Sequence, residues 1–95
     1  MANIEIYTRP GCGYCRHAKH LLSTKGLRFR EYDVYQYPQH KQAMHSRTAN
    51  RSYPQIFIDG VSVGGFTELL HKAQENRLPR SSRSVAMAQT PVPAT

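Results

Sequence analysis

Cysteine is scarce in this chain, and long apolar segments are missing. Only two of the 95 residues are cysteines, whereas small secreted scaffolds carry several, spread along the chain, to form disulfides. No stretch approaches the roughly 18 apolar residues that a membrane-spanning helix needs, and the first residues do not form the basic and then apolar segments of a secretory signal. We therefore expect a cytoplasmic protein without a membrane partner, in a compartment that keeps thiols reduced.

Acidic residues are few, and tryptophan is absent. The 13 lysines and arginines outnumber the 6 aspartates and glutamates, which gives a net charge of +7. Such a surface either serves solubility alone or attracts anionic substrates. Basic residues and tyrosines interleave between residues 28 and 37, but this stretch resembles no nucleic-acid-binding motif. We expect no nucleic-acid partner.

The pattern of apolar and turn-forming residues predicts alternating strands and helices. Strands are predicted over residues 3–7, 27–34, 55–58 and 61–63, and helices over 12–25, 39–48 and from 66 or 67 to 76. The Asp59-Gly60 pair is typical of a two-residue hairpin turn, which makes the last two strands antiparallel. The order β-α-β-α-β-β-α predicts an α/β fold with a four-stranded mixed sheet, a right-handed first crossover and helices on both faces.

The composition changes after Leu78. Residues 79–95 are rich in serine, proline and small side chains, and they lack periodic apolar positions. Such a segment cannot offset the entropy cost of ordering. We therefore predict one folded domain over residues 1–78 and a disordered C-terminal tail over 79–95. Truncation after Leu78 is expected to leave the melting temperature and the activity nearly unchanged.

Both cysteines lie in one motif, Cys12-Gly13-Tyr14-Cys15, at the start of the first predicted helix. Unpaired backbone N–H groups and the positive end of a helix favour a thiolate there, and cysteine pKa values in such motifs fall to about 3.5–7.5. Cys15, one turn further on, can reach the first sulfur once a mixed disulfide has formed. The spacing predicts a redox pair in which Cys12 attacks and Cys15 resolves, with Arg9 and Arg16 close enough in sequence to add positive charge.

A metal site and a structural disulfide are two other uses of such a cysteine pair. A structural zinc site needs four ligands. The nearest histidines, His17 and His20, share the helix of Cys15 and cannot readily converge with both sulfurs. We predict no metal site, while a structural disulfide remains an alternative. The other histidines are, like these two, expected to be solvated rather than functional: His40, His45 and His71.

Four segments give the chain a resemblance to a known family. They are Tyr7-Thr8-Arg9 leading into the cysteine motif and Ala18-Lys19, the stretch Ser52-Tyr53-Pro54-Gln55-Ile56-Phe57-Ile58, the Asp59-Gly60 hairpin, and Gly64-Gly65-Phe66-Thr67-Glu68-Leu69. In this order and spacing, residues 1 to about 76 resemble a glutaredoxin of the small dithiol kind found in bacteria. The resemblance implies a thioredoxin fold and a glutathione-dependent thiol–disulfide oxidoreductase. Such an enzyme would reduce protein disulfides and glutathione mixed disulfides through Cys12 and Cys15.

The resemblance also implies a groove that binds glutathione. Arg9 and Arg47 match basic positions that approach glutathione carboxylates, and Tyr14 lines the groove. Tyr53 matches the residue whose backbone N–H and C=O bind the cysteinyl part of glutathione, and Pro54 matches the cis-proline that follows it.

The resemblance further implies that one end of this groove lies at the start of the last helix. The backbone N–H groups of Thr67 and Glu68 match those that hold the γ-glutamyl carboxylate, as a helix N-terminus can. Gly64 and Gly65 match the structural glycines before that helix. Thr67 replaces an aspartate of the family, but a threonine can still serve as N-cap.

Two alternatives to a glutathione-dependent reductase stay open. Gly13 stands where proline is commoner, as in family members that assemble a glutathione-ligated 2Fe-2S cluster between two subunits, with Cys12 as a ligand. A redoxin reduced directly by thioredoxin reductase is the other alternative, although such proteins lack the basic glutathione contacts and Arg9 argues against it. We otherwise expect a monomer with glutathione as reductant and co-substrate, and glutathionylated or disulfide-containing proteins as partners.

Overall fold

The computed structural model describes residues 2–79, so the predicted tail lies outside the described residues apart from Pro79. The elements are β1 (Ile4–Thr8), α1 (Gly13–Thr24), β2 (Arg30–Asp33), α2 (Pro38–Arg47), β3 (Gln55–Ile58), β4 (Val61–Gly64) and α3 (Phe66–Gln74). Their order confirms the predicted one. Within residues 2–79, no helix has the length and apolar character needed to cross a membrane.

The four strands form one mixed sheet in the order β2-β1-β3-β4. β1 pairs in parallel with β2 and antiparallel with β3, and β3 pairs antiparallel with β4. In the turn between β3 and β4, Asp59 and Gly60 have φ values of 52° and 82°, the left-handed backbone that a type I′ hairpin needs at both positions. The predicted sheet and hairpin are confirmed.

Side chains of β1 alternate between the two faces of the sheet, and each face has its own core. On one face, buried residues join the sheet to α1 and α3: Ile4, Ile6, Ala18, Leu22, Leu27, Ile56 and Leu69. On the other face, α2 contributes Met44 to a second core with Tyr7, Val34 and Phe57. Helices therefore cover both faces, as predicted. Because both faces of the sheet are packed, the position of the last residues of β1 is well defined, and the cysteine motif follows shortly after them.

The second strand is shorter than predicted, because its first residues end α1 instead. Gly26 has a φ of 70° and donates its N–H to the Ser23 carbonyl at 2.9 Å, while Leu27 donates to the Leu22 carbonyl at 3.0 Å. This pair of bonds is a Schellman motif, in which a glycine takes the left-handed position. The strand predicted from Leu27 was wrong at this end, and β2 begins only at Arg30.

The same motif ends α3, earlier than predicted. Asn76 has a φ of 56° and donates to the Ala73 carbonyl at 3.2 Å, and Arg77 donates to the Lys72 carbonyl at 2.8 Å. Asparagine tolerates the left-handed region better than most residues, so the helix stops at Gln74 rather than at Asn76. The remaining helix and strand ends agree with the predicted ones to within about a residue, the usual disagreement at helix ends.

Candidate active site

Cys12 occupies the N-cap position of α1. Its backbone is extended, with φ −92° and ψ 107°, and its Sγ accepts a hydrogen bond of 3.1 Å from the backbone N–H of Cys15. An N-cap acceptor satisfies one of the unpaired N–H groups at a helix start, so the sulfur lies at the positive end of the helix. This geometry favours the thiolate form of Cys12.

Cys15 lies in the first turn of α1 and is nearly inaccessible. It is 3% exposed, whereas Cys12 is partly exposed. The two sulfurs form a disulfide, with Cα atoms 5.2 Å apart, so the structure describes the oxidised form of the pair. The difference in exposure means that a bulky substrate can approach Cys12 more readily than Cys15.

A groove of about 220 Å³ opens next to Cys12 on the β3 side of β1, and we call it the cis-proline groove. It is lined by Tyr14, Ser52, Tyr53, Pro54, Gly65, Phe66, Thr67 and Glu68. The Tyr53–Pro54 peptide bond is cis, as the resemblance implies, and the Tyr53 carbonyl oxygen lies 3.7 Å from Cys12 Sγ. The groove brings together five of the predicted glutathione residues: Tyr14, Tyr53, Pro54, Thr67 and Glu68.

α3 begins in this groove, at the first of the two predicted starting residues. Gly65 is the N-cap and Phe66 the first helical residue, so Thr67 lies in the first turn and does not serve as the N-cap. The Glu68 carboxylate accepts a hydrogen bond of 2.8 Å from the Gly65 N–H, which closes the helix start from within. Gly64 has a φ of 112°, and a Cβ there would lie 3.1 Å from Glu68 Oε1. Glycine at this position therefore lets the carboxylate fold back.

Two aromatic residues that line the cis-proline groove, Tyr14 and Phe66, belong to a cluster of three rings. Tyr14, 63% exposed, stacks on Phe66 with ring centres 6.0 Å apart. His17 lies against the same Phe66 ring at 5.8 Å. The rings join the start of α1 to the start of α3, the two helix ends that border the groove. Phe66 and His17 were missed by sequence reasoning, which treated His17 as merely solvated.

Arg9 is exposed and stands beside the cis-proline groove. Its guanidinium carbon lies 5.8 Å from the centre of the Tyr53 ring, within the range of a cation–π contact. Arg9 also lines a second cavity, on the β2 side of the cysteine pair. Its charge therefore lies within reach of a ligand that extends past Tyr53.

Arg47, the other predicted basic residue, lines neither the groove nor this second cavity. Its guanidinium donates to Glu5 Oε1 at 2.9 Å and to the Tyr7 hydroxyl at 3.0 Å, and its central carbon lies 4.1 Å from the centre of the Phe57 ring. The hydrogen bond from Arg47 lowers the pKa of Glu5, and the same bond raises the pKa of Arg47. The last turn of α2 directs Arg47 towards β1, away from the predicted glutathione site.

The second cavity has a volume of about 400 Å³, and we call it the charged cavity. It is lined by Thr8, Arg9, Pro10, Gly11, Cys12, Cys15, Arg16, Lys19, Glu31 and Asp33. Glu31 Oε2 accepts hydrogen bonds from Lys19 Nζ at 2.9 Å and from Thr8 Oγ1 at 2.8 Å. Sequence reasoning missed this cluster because its members come from three elements. The one available signal was the position of Lys19, one helical turn after Cys15.

The histidines are distributed as predicted only in part. His17, His20 and His71 are exposed, but His40 and His45 are partly buried. His40 packs against the rings of Tyr32 and Tyr37, with ring centres 4.9 Å and 5.6 Å away. Among the residues that the structure describes, no three histidine, cysteine, aspartate or glutamate side chains are grouped to hold a metal ion.

The fold and the site together define a class of protein. A mixed four-stranded sheet, a C-x-x-C disulfide at a helix N-terminus and a cis-proline beside it are the features of a thiol–disulfide oxidoreductase with a thioredoxin fold. Residues 4–63 match the family model described as Glutaredoxin. The chain belongs to the glutaredoxin family.

Several relatives support this assignment. Glutaredoxin 3 of Escherichia coli is 44% identical over 69 residues, which cover 73% of this chain and 83% of the relative. The solution structure of glutaredoxin from Brucella melitensis has a TM-score of 0.70 and 39% identity, covering 90% of this chain and 96% of that one. The crystal structure of a buckwheat glutaredoxin–glutathione complex has a TM-score of 0.73 and 25% identity, covering 81% of this chain and 73% of that one. The predicted family and fold are confirmed.

Proposed function

We propose that this protein uses glutathione to reduce protein disulfides and mixed disulfides with glutathione. The position of the cis-proline groove carries the proposal. Because the Tyr53 carbonyl lies 3.7 Å from Cys12 Sγ, a peptide-like ligand that binds the Tyr53 backbone brings its own sulfur next to Cys12. Glutathione is such a ligand, with its cysteine between two ends that carry carboxylates. The solved glutathione complex of the buckwheat relative supports this choice.

We expect both ends of glutathione to find charged or dipolar partners in this groove or beside it. The backbone N–H groups of Thr67 and Glu68 lie in the first turn of α3, where N–H groups lack intrahelical acceptors and can bind the γ-glutamyl carboxylate. The Glu68 carboxylate, folded back over Gly65, supplies a negative charge for the γ-glutamyl ammonium. Arg9, stacked on Tyr53, approaches the other carboxylate. Such charge-assisted hydrogen bonds contribute about 1.5–3 kcal/mol each, and exposure places Arg9 at the low end.

The reaction begins with the Cys12 thiolate, whose sulfur takes the position that accepts the N–H of Cys15 in the disulfide form. The thiolate attacks the glutathione sulfur of a glutathionylated protein, so that a Cys12–glutathione disulfide forms and the protein thiolate leaves and takes a proton from solvent. A second glutathione thiolate then displaces Cys12 and leaves as glutathione disulfide. With a protein disulfide as substrate, Cys15 displaces the substrate from Cys12, and two glutathione molecules reduce the resulting Cys12–Cys15 disulfide.

A coupled assay tests this function. Purified protein is mixed with a glutathionylated peptide, glutathione, glutathione reductase and NADPH, and we expect NADPH consumption that requires both the protein and glutathione. In a second arm, thioredoxin reductase replaces glutathione and glutathione reductase. Activity in the second arm alone would overturn the proposal in favour of a directly reduced redoxin. Inactivity in both arms, with a brown colour in anaerobically purified protein, would favour the 2Fe-2S carrier instead.

The proposal includes a cytoplasmic monomer whose partners are glutathione and glutathionylated or disulfide-containing proteins. A reductase of this kind needs a compartment that keeps glutathione reduced. Arg47 is left out of the proposed glutathione site, because its guanidinium is bound to Glu5 and Tyr7.

A further inference from the structure

Cys15 must become a thiolate to close the disulfide, yet its surroundings oppose a charge. It belongs to the buried stripe of α1 with Ala18 and Leu22, and it is only 3% exposed. Burial in apolar surroundings disfavours a thiolate. The helix N-terminus serves the other sulfur, because Cys12 Sγ accepts the Cys15 N–H. A thiolate at Cys15 therefore needs positive charge from another source.

Lys19 is the cation best placed to supply this charge. It lies one turn after Cys15 on α1, and residues at this spacing are neighbours on one helix face. Lys19 and Cys15 both line the charged cavity. The Lys19 side chain is 33% exposed, so solvent screens its ammonium less than it screens a fully exposed one.

Glu31 holds the Lys19 ammonium in place, and Thr8 in turn holds Glu31. Glu31 Oε2 accepts from Lys19 Nζ at 2.9 Å, and the same oxygen accepts from Thr8 Oγ1 at 2.8 Å. Thr8 is 3% exposed and is the last residue of β1, so Glu31 is anchored to the centre of the sheet. An ammonium that is already held loses less side-chain entropy when it faces a new anion.

The other charged groups of the cavity have different surroundings. Arg9 stacks on an aromatic ring of the cis-proline groove, and Arg16 is exposed. Asp33 accepts the backbone N–H groups of Tyr35 and Gln36 at 2.8 Å and 2.9 Å, so its carboxylate is engaged by the loop that follows β2. Lys19 is thus the cation that shares both a helix face and a cavity with Cys15 and is held in an ion pair.

We propose that Lys19 is a positioning residue for the second half of the dithiol reaction, in which its ammonium, held by a Glu31 carboxylate that Thr8 anchors, stabilises the Cys15 thiolate. The Cys15 thiol gives its proton to water in the open cavity. The thiolate attacks Cys12 Sγ of the mixed disulfide, the Cys12–Cys15 bond forms, and the substrate sulfur leaves as a thiolate that takes a proton from solvent. Two electrons thereby pass from the cysteine pair to the substrate disulfide. The step uses no glutathione, so it can fail independently of the glutathione proposal.

The pH dependence of ring closure in Lys19→Met tests this role. Reduced protein is mixed in a stopped-flow instrument with an equimolar aromatic disulfide that releases a coloured thiol. The first release reports attack by Cys12, and the second reports closure by Cys15. We expect Lys19→Met to move the pH profile of the second phase upward by about one unit and to slow it about tenfold near neutral pH, since one pKa unit corresponds to a factor of ten. The first phase should keep its rate, and Lys19→Arg, which keeps the charge, should keep most of the second.

Arg77→Met is the matched control, because it removes a cation from a surface ion pair, with Glu75 at 3.2 Å, outside the charged cavity. It should leave both phases unchanged. Ultraviolet titration of the Cys15 thiolate in a Cys12→Ser background should show the same upward shift on Lys19→Met. Unchanged closure and titration in Lys19→Met would overturn the proposal, as would an equal slowing of both phases. Lys19→Gln takes the place of Lys19→Met if the latter does not fold.

Discussion

The two sides of the cysteine pair present polar groups in different ways. The charged cavity on the β2 side is lined by five charged side chains: Arg9, Arg16, Lys19, Glu31 and Asp33. The cis-proline groove on the β3 side is lined by one, Glu68, together with aromatic rings, a cis-proline and a helix start. Backbone groups are fixed by the fold and suit the recognition of one constant ligand, whereas charged side chains suit the control of a buried thiol. Recognition and resolution should therefore respond to different substitutions.

Replacement of either cysteine should produce the largest effect and separate the two sides. Cys12→Ser should abolish both the reduction of protein disulfides and the deglutathionylation of mixed disulfides, because the attacking sulfur is gone. Cys15→Ser should retain deglutathionylation and lose dithiol reduction of protein disulfides. Steady-state assays with the two substrate types measure this. The comparison breaks down if Cys15→Ser is inactive in both assays while Cys12→Ser is active.

Arg9→Ala should have the next largest effect, because it removes the cation beside the cis-proline groove. We expect the KM for a glutathionylated substrate to rise roughly tenfold, with a smaller rise at high salt, since an exposed charge is screened. Lys41→Ala, which removes an exposed cation from α2, is the control and should leave KM unchanged. An equal rise in both variants would show that net charge alone attracts the substrate, and would remove Arg9 from the proposed glutathione site.

Arg47→Met should change stability and leave the glutathione kinetics within about twofold of the wild type, because Arg47 lies on neither side of the cysteine pair. Loss of its charged hydrogen bonds should lower the free energy of unfolding by about 1–3 kcal/mol at pH 7. The pKa of Glu5 is lowered from 4.5 by Arg47, so the pair stabilises the fold above that pH and loses its effect as pH falls through the folded value. Urea unfolding should show the difference between the two proteins shrinking below pH 4.5, while the contacts of Arg47 with Tyr7 and Phe57 keep part of it. A rise in KM like that of Arg9→Ala would return Arg47 to the glutathione site.

Features that depend on few neighbouring residues could be predicted from the sequence. Asp59 and Gly60 take the left-handed backbone that their residue types favour, and Cys12 lies at the helix start where its motif places it. The resemblance implied the cis bond at Pro54, which no local pattern indicates by itself. The hairpin turn and the helix start can be predicted from the residues within about one turn of each position. The cis bond can be predicted only from a resemblance to related proteins.

Features that depend on distant elements could not be predicted. The direction of the Arg47 side chain is set by Glu5 and Tyr7 on β1, which are about 40 residues away in sequence. The sequence of α2 has few apolar residues and does not indicate these partners. The Thr8–Lys19–Glu31 cluster joins two strands and a helix, so it exists only once the sheet register is formed. The N-cap of α3 is Gly65 rather than Thr67, and residue type alone does not decide between them, because threonine and glycine are about equally favoured at this position.

The N-cap position of Cys12 ties the local order of α1 to its chemistry. A sulfur that accepts the Cys15 N–H keeps the first helical turn wound, and both a thiolate and a disulfide sulfur have lone pairs to accept it. The Cys12 sulfur can therefore change between thiolate and disulfide while the first turn of the helix stays formed throughout the reaction cycle. The atom that exchanges bonds with substrates is also the atom that closes the helix. For this reason the reactive position is held still by the same contact that makes it reactive.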